Sequence, residues 1–177
     1  MLALACAALW GFAEATLFFI VPDVLLSAIA IRDPRAAYRA SFAAVGGTMI
    51  GGTILYLWGA ASPEAWAVVS AVPAVGPEMM DNARSQLDRF GMLAVILGPL
   101  SATPFKVYAV QSSASGIPFW WFLAITPIAR LPRFLLVSFA AGWICRSLGP
   151  RVTPRTKYIL WACAWVAVYL VLWREMF

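Results

Sequence analysis

The first 31 residues form an almost wholly apolar segment that polar residues and a proline interrupt. Glu14 and the pair Pro22-Asp23 fall where a simple spanning helix would have its middle and its far end. Pro22 removes a helical hydrogen bond and disfavours helix at the residue before it. At membrane depth such a break is tolerated only where protein or water covers the freed backbone. The pattern therefore predicts that residues 1–31 form a re-entrant hairpin: a helix, a turn and a second helix.

Residues 38–60 form an apolar segment whose one charged residue, Arg39, lies at its start, which predicts a transmembrane helix. Gly47 and Gly51 have the small-xxx-small spacing that lets a second helix approach the backbone closely. Glycine is also simply common in membrane helices. Both interpretations of these two glycines stay open from the sequence alone.

The second half of the chain repeats this order of elements. Residues 91–117 are apolar but broken by Pro99, Pro104 and Lys106, which predicts a second re-entrant hairpin. Residues 118–145 follow as a long apolar span, and residues 157–173 predict one further transmembrane helix.

Residues 77–90, between the two halves, have apolar side chains at helical spacing with polar ones between them. The pattern predicts an amphipathic helix at the membrane surface. A loop helix packed on the protein is the alternative.

Basic residues on two connections indicate how the halves are oriented. They lie before or at the start of residues 38–60 and of the last helix, where the positive-inside rule makes both connections cytoplasmic: Arg32, Arg35, Arg39, Arg146, Arg151, Arg155 and Lys157. Both assignments hold only if the two hairpins enter the membrane from opposite faces. The predicted fold is therefore an all-α integral membrane protein. It is an inverted repeat of re-entrant hairpin plus transmembrane helix, with one extra C-terminal transmembrane helix, and residues 1–177 form a single membrane domain.

Composition agrees with this prediction. Apolar residues make up 63% of the chain and charged residues 12%, whereas soluble domains carry about 25% charged residues. The 13 basic residues exceed the 8 acidic ones, but no basic patch with interleaved aromatics accompanies the excess, so we expect no nucleic-acid partner. The chain has no His, and its three Cys stand singly. We therefore expect no metal, disulfide framework or other cofactor.

Five ionisable residues are predicted to lie at membrane depth: Glu14, Asp23, Lys106, Arg130 and Arg133. Such residues are functional candidates by default, although they could instead neutralise one another or extend to an interface. Arg130 and Arg133 share one helix face, and the arginine fork matches phosphate oxygens. We expect Arg130, Arg133 and Lys106 to bind substrate, and Glu14 and Asp23 to carry protons or supply counter-charge.

Short motifs in both halves resemble the DedA (VTT-domain, SNARE-associated) family of membrane proteins, in particular its YqaA-like branch. They run in order along residues 10–142: Phe12-Ala13-Glu14-Ala15-Thr16, Pro22-Asp23-Val24-Leu25-Leu26, Val45 to Gly52 with Tyr56 and Gly59, Arg89-Phe90-Gly91, Pro104, Gly116, and Ala129-Arg130-Leu131-Pro132-Arg133-Phe134. One motif departs from the family. Fuller members carry an Arg-x-x-Pro-x-x-Arg type motif in the second hairpin, where this chain has Pro99 and then Pro104-Phe105-Lys106.

The resemblance implies two facing re-entrant hairpins and the movement of lipids by a multi-pass protein of the bacterial inner (cytoplasmic) membrane. Family members recycle undecaprenyl phosphate or act as phospholipid flippases or scramblases, often linked to the proton-motive force. The family's hairpin acids correspond to Glu14 and Asp23, and the branch's basic pair to Arg130 and Arg133. Lys106 would substitute for the second-hairpin arginine.

We therefore expect a transporter of a phosphate-bearing lipid, with membrane lipids and protons as partners, rather than an enzyme. Two alternatives remain: a membrane enzyme acting on a lipid head group, for which the sequence offers no nucleophile-base pair, and a non-catalytic packing subunit. The sequence leaves the oligomeric state open, a homo-oligomer included.

Overall fold

A computed structural model of the chain is all-helical over the residues that it describes. These are residues 1–18, 20–73, 75–98, 103–149 and 152–176, without the side chains of residues 172, 173, 175 and 176. The described helices are α1 (Leu2–Thr16), α2 (Asp23–Arg32), α3 (Pro34–Ala61), α4 (Glu64–Ser70), α5 (Pro77–Phe90), α6 (Met92–Leu97), α7 (Phe105–Ser112), α8 (Phe119–Ser147) and α9 (Pro154–Met176). The expectation of an all-α fold is therefore confirmed for this part of the chain.

Helices α3 and α8 are each long and apolar enough to cross a membrane. They have 28 and 29 residues, and at 1.5 Å per residue each exceeds the ~30 Å hydrocarbon core of a bilayer. The third predicted span, residues 157–173, lies within α9 and stays a prediction.

α3 and α8 pack antiparallel at the centre of the fold. Gly142 of α8 contacts Pro34, and the hydroxyls of Ser41 and Ser138 lie 3.1 Å apart. Near the other end of α3, the Tyr56 hydroxyl donates to the carbonyl of Ile117, just before α8, at 2.6 Å. The start of α3 therefore lies beside the end of α8.

The basic connections gather at this end of the pair. Arg32 and Arg35 flank the start of α3, and Arg146 lies in the last turn of α8. Lys157, in the first turns of α9, donates to the backbone carbonyl of Cys145 at 2.8 Å. The shared side that the sequence predicts for these charges is thus a common end of the helices, although Arg151 lies outside the described residues.

Each broken segment contributes two short helices that pack on the central pair. In the first half, α1 packs chiefly on α3 and α2 chiefly on α8. In the second half, α6 packs on α8 and α7 on α3. Two apolar clusters result. One joins α3 to α4, α5, α6 and α7, and the other joins α1 and α2 to the first half of α3 and Phe134.

Close backbone approach explains the glycines of α3. Gly47 lies on the backbone of Ala8, and Gly51 lies on that of Phe12. A side chain at Gly47 would overlap the carbonyl of Ala8, so the small-xxx-small face is the seat of α1. Farther along, Gly59 meets the backbone of Val110 in α7 in the same way.

Several bounds differ from the predicted ones. α3 begins at residue 34, not 38, because the Asp33 carboxylate accepts from the Arg35 and Ala36 amides at 2.9 and 3.0 Å, with Pro34 in the first helical position. α8 begins one residue later and ends two residues later than predicted, and α9 extends three residues beyond both predicted bounds. α4 has no counterpart among the predicted elements. Pro99, one of the residues predicted to break the second hairpin, lies outside the described residues.

Helix α5 coincides with the predicted amphipathic helix, residues 77–90. Its buried side chains, Met80, Ala83 and Leu87, belong to the first apolar cluster. The Nη2 atom of Arg84 donates to the carbonyl of Ala114 at 3.2 Å, and α5 also packs on α6 and α7. This packing favours the alternative that α5 is a helix seated on the protein.

Candidate functional site

The end of α1, which precedes the first break, and the start of α7, which follows the second break, meet beside the middle of α3. Thr16, at the end of α1, lies against Gly51, and Phe105, at the start of α7, lies against Gly52. The Nζ atom of Lys106 donates to the backbone carbonyl of Phe18 at 2.7 Å, which joins the second break directly to the first. All five ionisable residues predicted for membrane depth gather at this junction.

Arg130 of α8 forms an ion pair with Glu14 of α1 through Nη2 and Oε2. Both side chains are almost fully buried, at 2% and 5% exposure. The Arg130 guanidinium also lies against the rings of Phe105 and Phe134, 5.4 and 5.1 Å from their centroids. Because these rings belong to the two different apolar clusters, Arg130 is a polar link between them, with cation–π contact on both sides.

Arg133, one turn along α8, pairs with Asp23 at the start of α2. Its Nε atom donates to Asp23 Oδ2 at 2.8 Å. Asp23 is buried, whereas 37% of the Arg133 side chain is exposed. The two arginines thus reach different arms of the first hairpin, and of the two only Arg133 has a partly exposed side chain.

Lys106 is buried at 1% exposure and has a backbone carbonyl, not a carboxylate, as its described hydrogen-bond partner. Glu14 and Arg130 lie within electrostatic range of its ammonium. With all five groups ionised, three cations face two carboxylates, and the site carries a surplus of one positive charge.

Two of these groups keep an unused hydrogen-bonding atom. Asp23 Oδ1 and Arg130 Nε are both buried without a hydrogen-bond partner among the described residues. Buried polar atoms are normally satisfied, so the site has unmet capacity for one donor and one acceptor. The arrangement can hold an anion beside the partly exposed Arg133 side chain.

Residues that hold α9 against the first hairpin escaped the sequence reasoning. The indole Nε1 atoms of Trp161 and Trp165 both donate to Ser27 Oγ, at 2.9 and 3.0 Å. The Tyr169 hydroxyl accepts from the Val21 amide at 3.1 Å. These three aromatics recur every four residues, a helical spacing that could have indicated a packed face instead of a general interfacial enrichment.

No group of three or more His, Cys, Asp or Glu side chains close enough to hold a metal ion occurs within the described residues. The ionisable cluster is instead mixed in sign. Its chemistry is therefore that of ion pairing and hydrogen bonding.

Comparisons with known proteins place the chain among proteins whose names state no activity. It is 29% identical over 159 residues to an uncharacterized protein of Haemophilus influenzae, covering 89% of this chain and 82% of that protein. It is 30% identical over 166 residues to an uncharacterized protein of Histophilus somni, described as an HI0703 homolog. That match covers 92% of this chain and 85% of the relative. The chain belongs to this HI0703 family.

The HI0703 family likeness extends over nearly the whole length of the chain. No family model matches the chain. No solved structure matches it either.

Proposed function

We propose that the chain is a multi-pass protein of the bacterial inner (cytoplasmic) membrane that moves a phosphate-bearing lipid across the bilayer. The substrate would be a phospholipid or undecaprenyl phosphate. The proposed role is transport and not catalysis, and protons are the proposed coupling partner. The resemblance to the DedA family leads to the same expectation.

Exposed apolar side chains support the membrane part of the proposal. The outer faces of α3 and α8 expose large hydrophobic residues along their length: Phe42, Ile50, Ile54, Leu57, Trp120, Trp121, Ile128, Leu136, Phe139, Trp143 and Ile144. Soluble monomers rarely expose apolar patches larger than a few hundred Å². Lipid chains would cover these faces and so keep their apolar surface out of water.

The exchange of packing partners between the halves supports an inverted repeat. The first short helix of each half packs on the long helix of its own half, and the second packs on the long helix of the other half. This is the relation that a two-fold repeat produces. Broken segments at matching positions of two inverted halves are typical of a transport site near the midplane.

The observation that carries the proposal is the charged junction of the two breaks. Ionisable groups at membrane depth are costly and generally mark a substrate or ion pathway. Here they have a positive surplus, and the Arg133 side chain is partly exposed at the edge of the cluster. A phosphate group complements that surplus, and the paired carboxylates would hold the arginines when no lipid is bound.

Lipid movement in proteoliposomes tests the proposal. Arg133→Gln removes the accessible cation, and Glu14→Gln removes the counter-charge of Arg130. Each should reduce transport of a fluorescent phosphate-bearing lipid by at least about tenfold, the equivalent of about 1.4 kcal/mol of lost binding. Arg35→Gln, at an exposed position at the start of α3, is the matched control and should transport like the wild type.

Full transport activity in both Arg133→Gln and Glu14→Gln would refute the role of the charged junction, and wild-type protein that moves lipid no faster than protein-free liposomes would refute the lipid-transporter proposal. The two alternatives predict other results. A head-group enzyme would leave chemically altered lipid after incubation, which mass spectrometry would detect. A packing subunit would tolerate both substitutions and copurify with a fixed partner.

A further inference from the structure

An open groove of about 500 Å³ runs between the first hairpin and α9. Trp10, Ile20 and Val24 line it on the hairpin side, and Trp161, Trp165 and Tyr169 line it on α9. Its volume lies within the ~300–1,000 Å³ typical of small-molecule pockets. The groove lies outside the buried Arg130–Glu14 pair and has no part in the mechanism proposed above.

The polar atoms of the aromatic lining are directed at protein partners. Trp10 Nε1 donates to the Ile20 carbonyl at 2.9 Å. The indoles of Trp161 and Trp165 donate to Ser27 Oγ, and the Tyr169 hydroxyl accepts from the Val21 amide. The groove therefore presents carbon, which suits a hydrocarbon ligand and holds water poorly.

A cation adjoins this apolar surface. Val24, in the lining, directly follows Asp23, which pairs with Arg133. Asp23 and Arg133 both lie within electrostatic range of the Tyr169 hydroxyl. With 37% of its side chain exposed, Arg133 offers N–H donors beside the end of the groove, where an anionic group attached to a hydrocarbon chain would arrive.

We propose that the groove holds one hydrocarbon chain of a phosphate-bearing lipid while the phosphate meets Arg133. The inference rests on the proposed function for the class of substrate, and adds where the lipid chain binds. An amphiphile requires an apolar channel and a cation side by side, and the groove with Arg133 provides both. A free phosphate ion would use only the arginine.

Filling the groove tests the inference. Val166 lines the groove on α9, whereas Val168 lies on α9 outside the lining and is exposed. Val166→Trp should obstruct the groove, and Val168→Trp is the matched control with the same added bulk. Leu170→Trp, at a second lining position, provides an independent obstruction in case Val166→Trp fails to fold.

Native mass spectrometry of the purified full-length chain measures the binding of three probes: dioleoyl phosphatidic acid, glycerol 3-phosphate and dioleoylglycerol. One phosphatidic acid should bind per chain, more tightly than either other probe. Val166→Trp should weaken it by about tenfold, as expected if roughly two methylene groups leave the groove. Val168→Trp should bind it like the wild type.

Equal phosphatidic acid affinity in the wild type, Val166→Trp and Leu170→Trp would overturn the groove assignment. Glycerol 3-phosphate binding as tightly as the lipid would overturn it as well, in favour of a free phosphate site. Dioleoylglycerol binding equally well would overturn the role of Arg133.

These outcomes can be separated from the fate of the proposed function. If lipid movement depends on Arg133 and Glu14 but the groove variants bind and transport normally, the groove assignment fails alone. If the groove variants lose binding while the wild type moves lipid no faster than protein-free liposomes, the transport function fails and the lipid site stands.

Discussion

Neutralising Glu14 should destabilise the protein more than removing its partner Arg130. The pair is buried on both sides, so Glu14→Gln leaves an uncompensated guanidinium in a low-dielectric site. The cluster then has three cations and one carboxylate, a surplus of two positive charges. Arg130→Met leaves two cations and two carboxylates, and Glu14 still has the Lys106 ammonium within electrostatic range.

The magnitudes follow from this difference in charge. Breaking a buried ion pair by removing one partner costs about 3–5 kcal/mol, and we expect Glu14→Gln to fall in that range. Arg130→Met should cost about 1–3 kcal/mol, since methionine retains apolar contact with Phe105 and Phe134. The double variant should be more stable than Glu14→Gln alone, because it leaves no unpaired arginine.

Reversible unfolding in mixed detergent micelles provides the free energy of unfolding for the four proteins of this double-mutant cycle. The pair Arg84–Asp88 on α5, at 44% and 55% exposure, is the control. Removing Arg84, Asp88 or both should change stability by about 0.5 kcal/mol or less. The reasoning is refuted if Glu14→Gln is as stable as the wild type, or if the Glu14 and Arg130 effects simply add.

Two further substitutions probe the packing that positions the site. Gly47→Ala should destabilise the protein by about 1–3 kcal/mol, because a methyl group there overlaps the Ala8 carbonyl. The control, Gly46→Ala, has open space around it and should be neutral or slightly stabilising in the same unfolding assay. Equal stability of the two variants would contradict the close α1–α3 contact. Ser27→Ala removes the shared acceptor of Trp161 and Trp165 and should lower the free energy of local opening of α9 by about 1–3 kcal/mol. Amide hydrogen exchange in α9 should therefore be faster than in the Ser70→Ala control. Unchanged exchange in α9 would show that these hydrogen bonds do not hold it.

The residues of the site were predictable from the sequence because of their chemistry. A carboxylate or arginine inside an apolar segment stands out at once, as does a proline that interrupts it. Glu14, Asp23, Lys106, Arg130 and Arg133 were therefore all identifiable, and the structure brings all five to one junction. Their roles in transport remain predictions.

The pairing within the site was not predictable in the same way. The i, i+3 spacing puts Arg130 and Arg133 on one face of α8, but three residues of helix also separate them by about 4.5 Å along the axis. That rise brings Arg130 to α1 and Arg133 to α2. Which neighbouring helix lies at which height depends on tertiary packing, which the periodicity of a single segment does not specify.

Helix α9 illustrates the same limit. Its aromatic residues are typical of a lipid-water interface, yet several of them donate to or accept from the first hairpin. The distinction depends on whether a neighbouring helix offers unsatisfied polar groups. Ser27 does so, because its hydroxyl donates to the Asp23 carbonyl at 2.6 Å and can still accept from both indoles.

The distribution of charge couples the halves of the chain to each other. The acids lie on the first hairpin, and the arginines that neutralise them lie on the long helix of the second half. Lys106, on the second hairpin, reaches the first break through a backbone carbonyl. Neither half alone could bury its own charges without a large desolvation cost. The charged junction is therefore formed only when the halves associate. The same association brings the end of α1 and the start of α7 together beside the site. A movement that separates the breaks must loosen the ion pairs, so an anionic lipid that competes for Arg133 would act directly on the contact that holds the halves together.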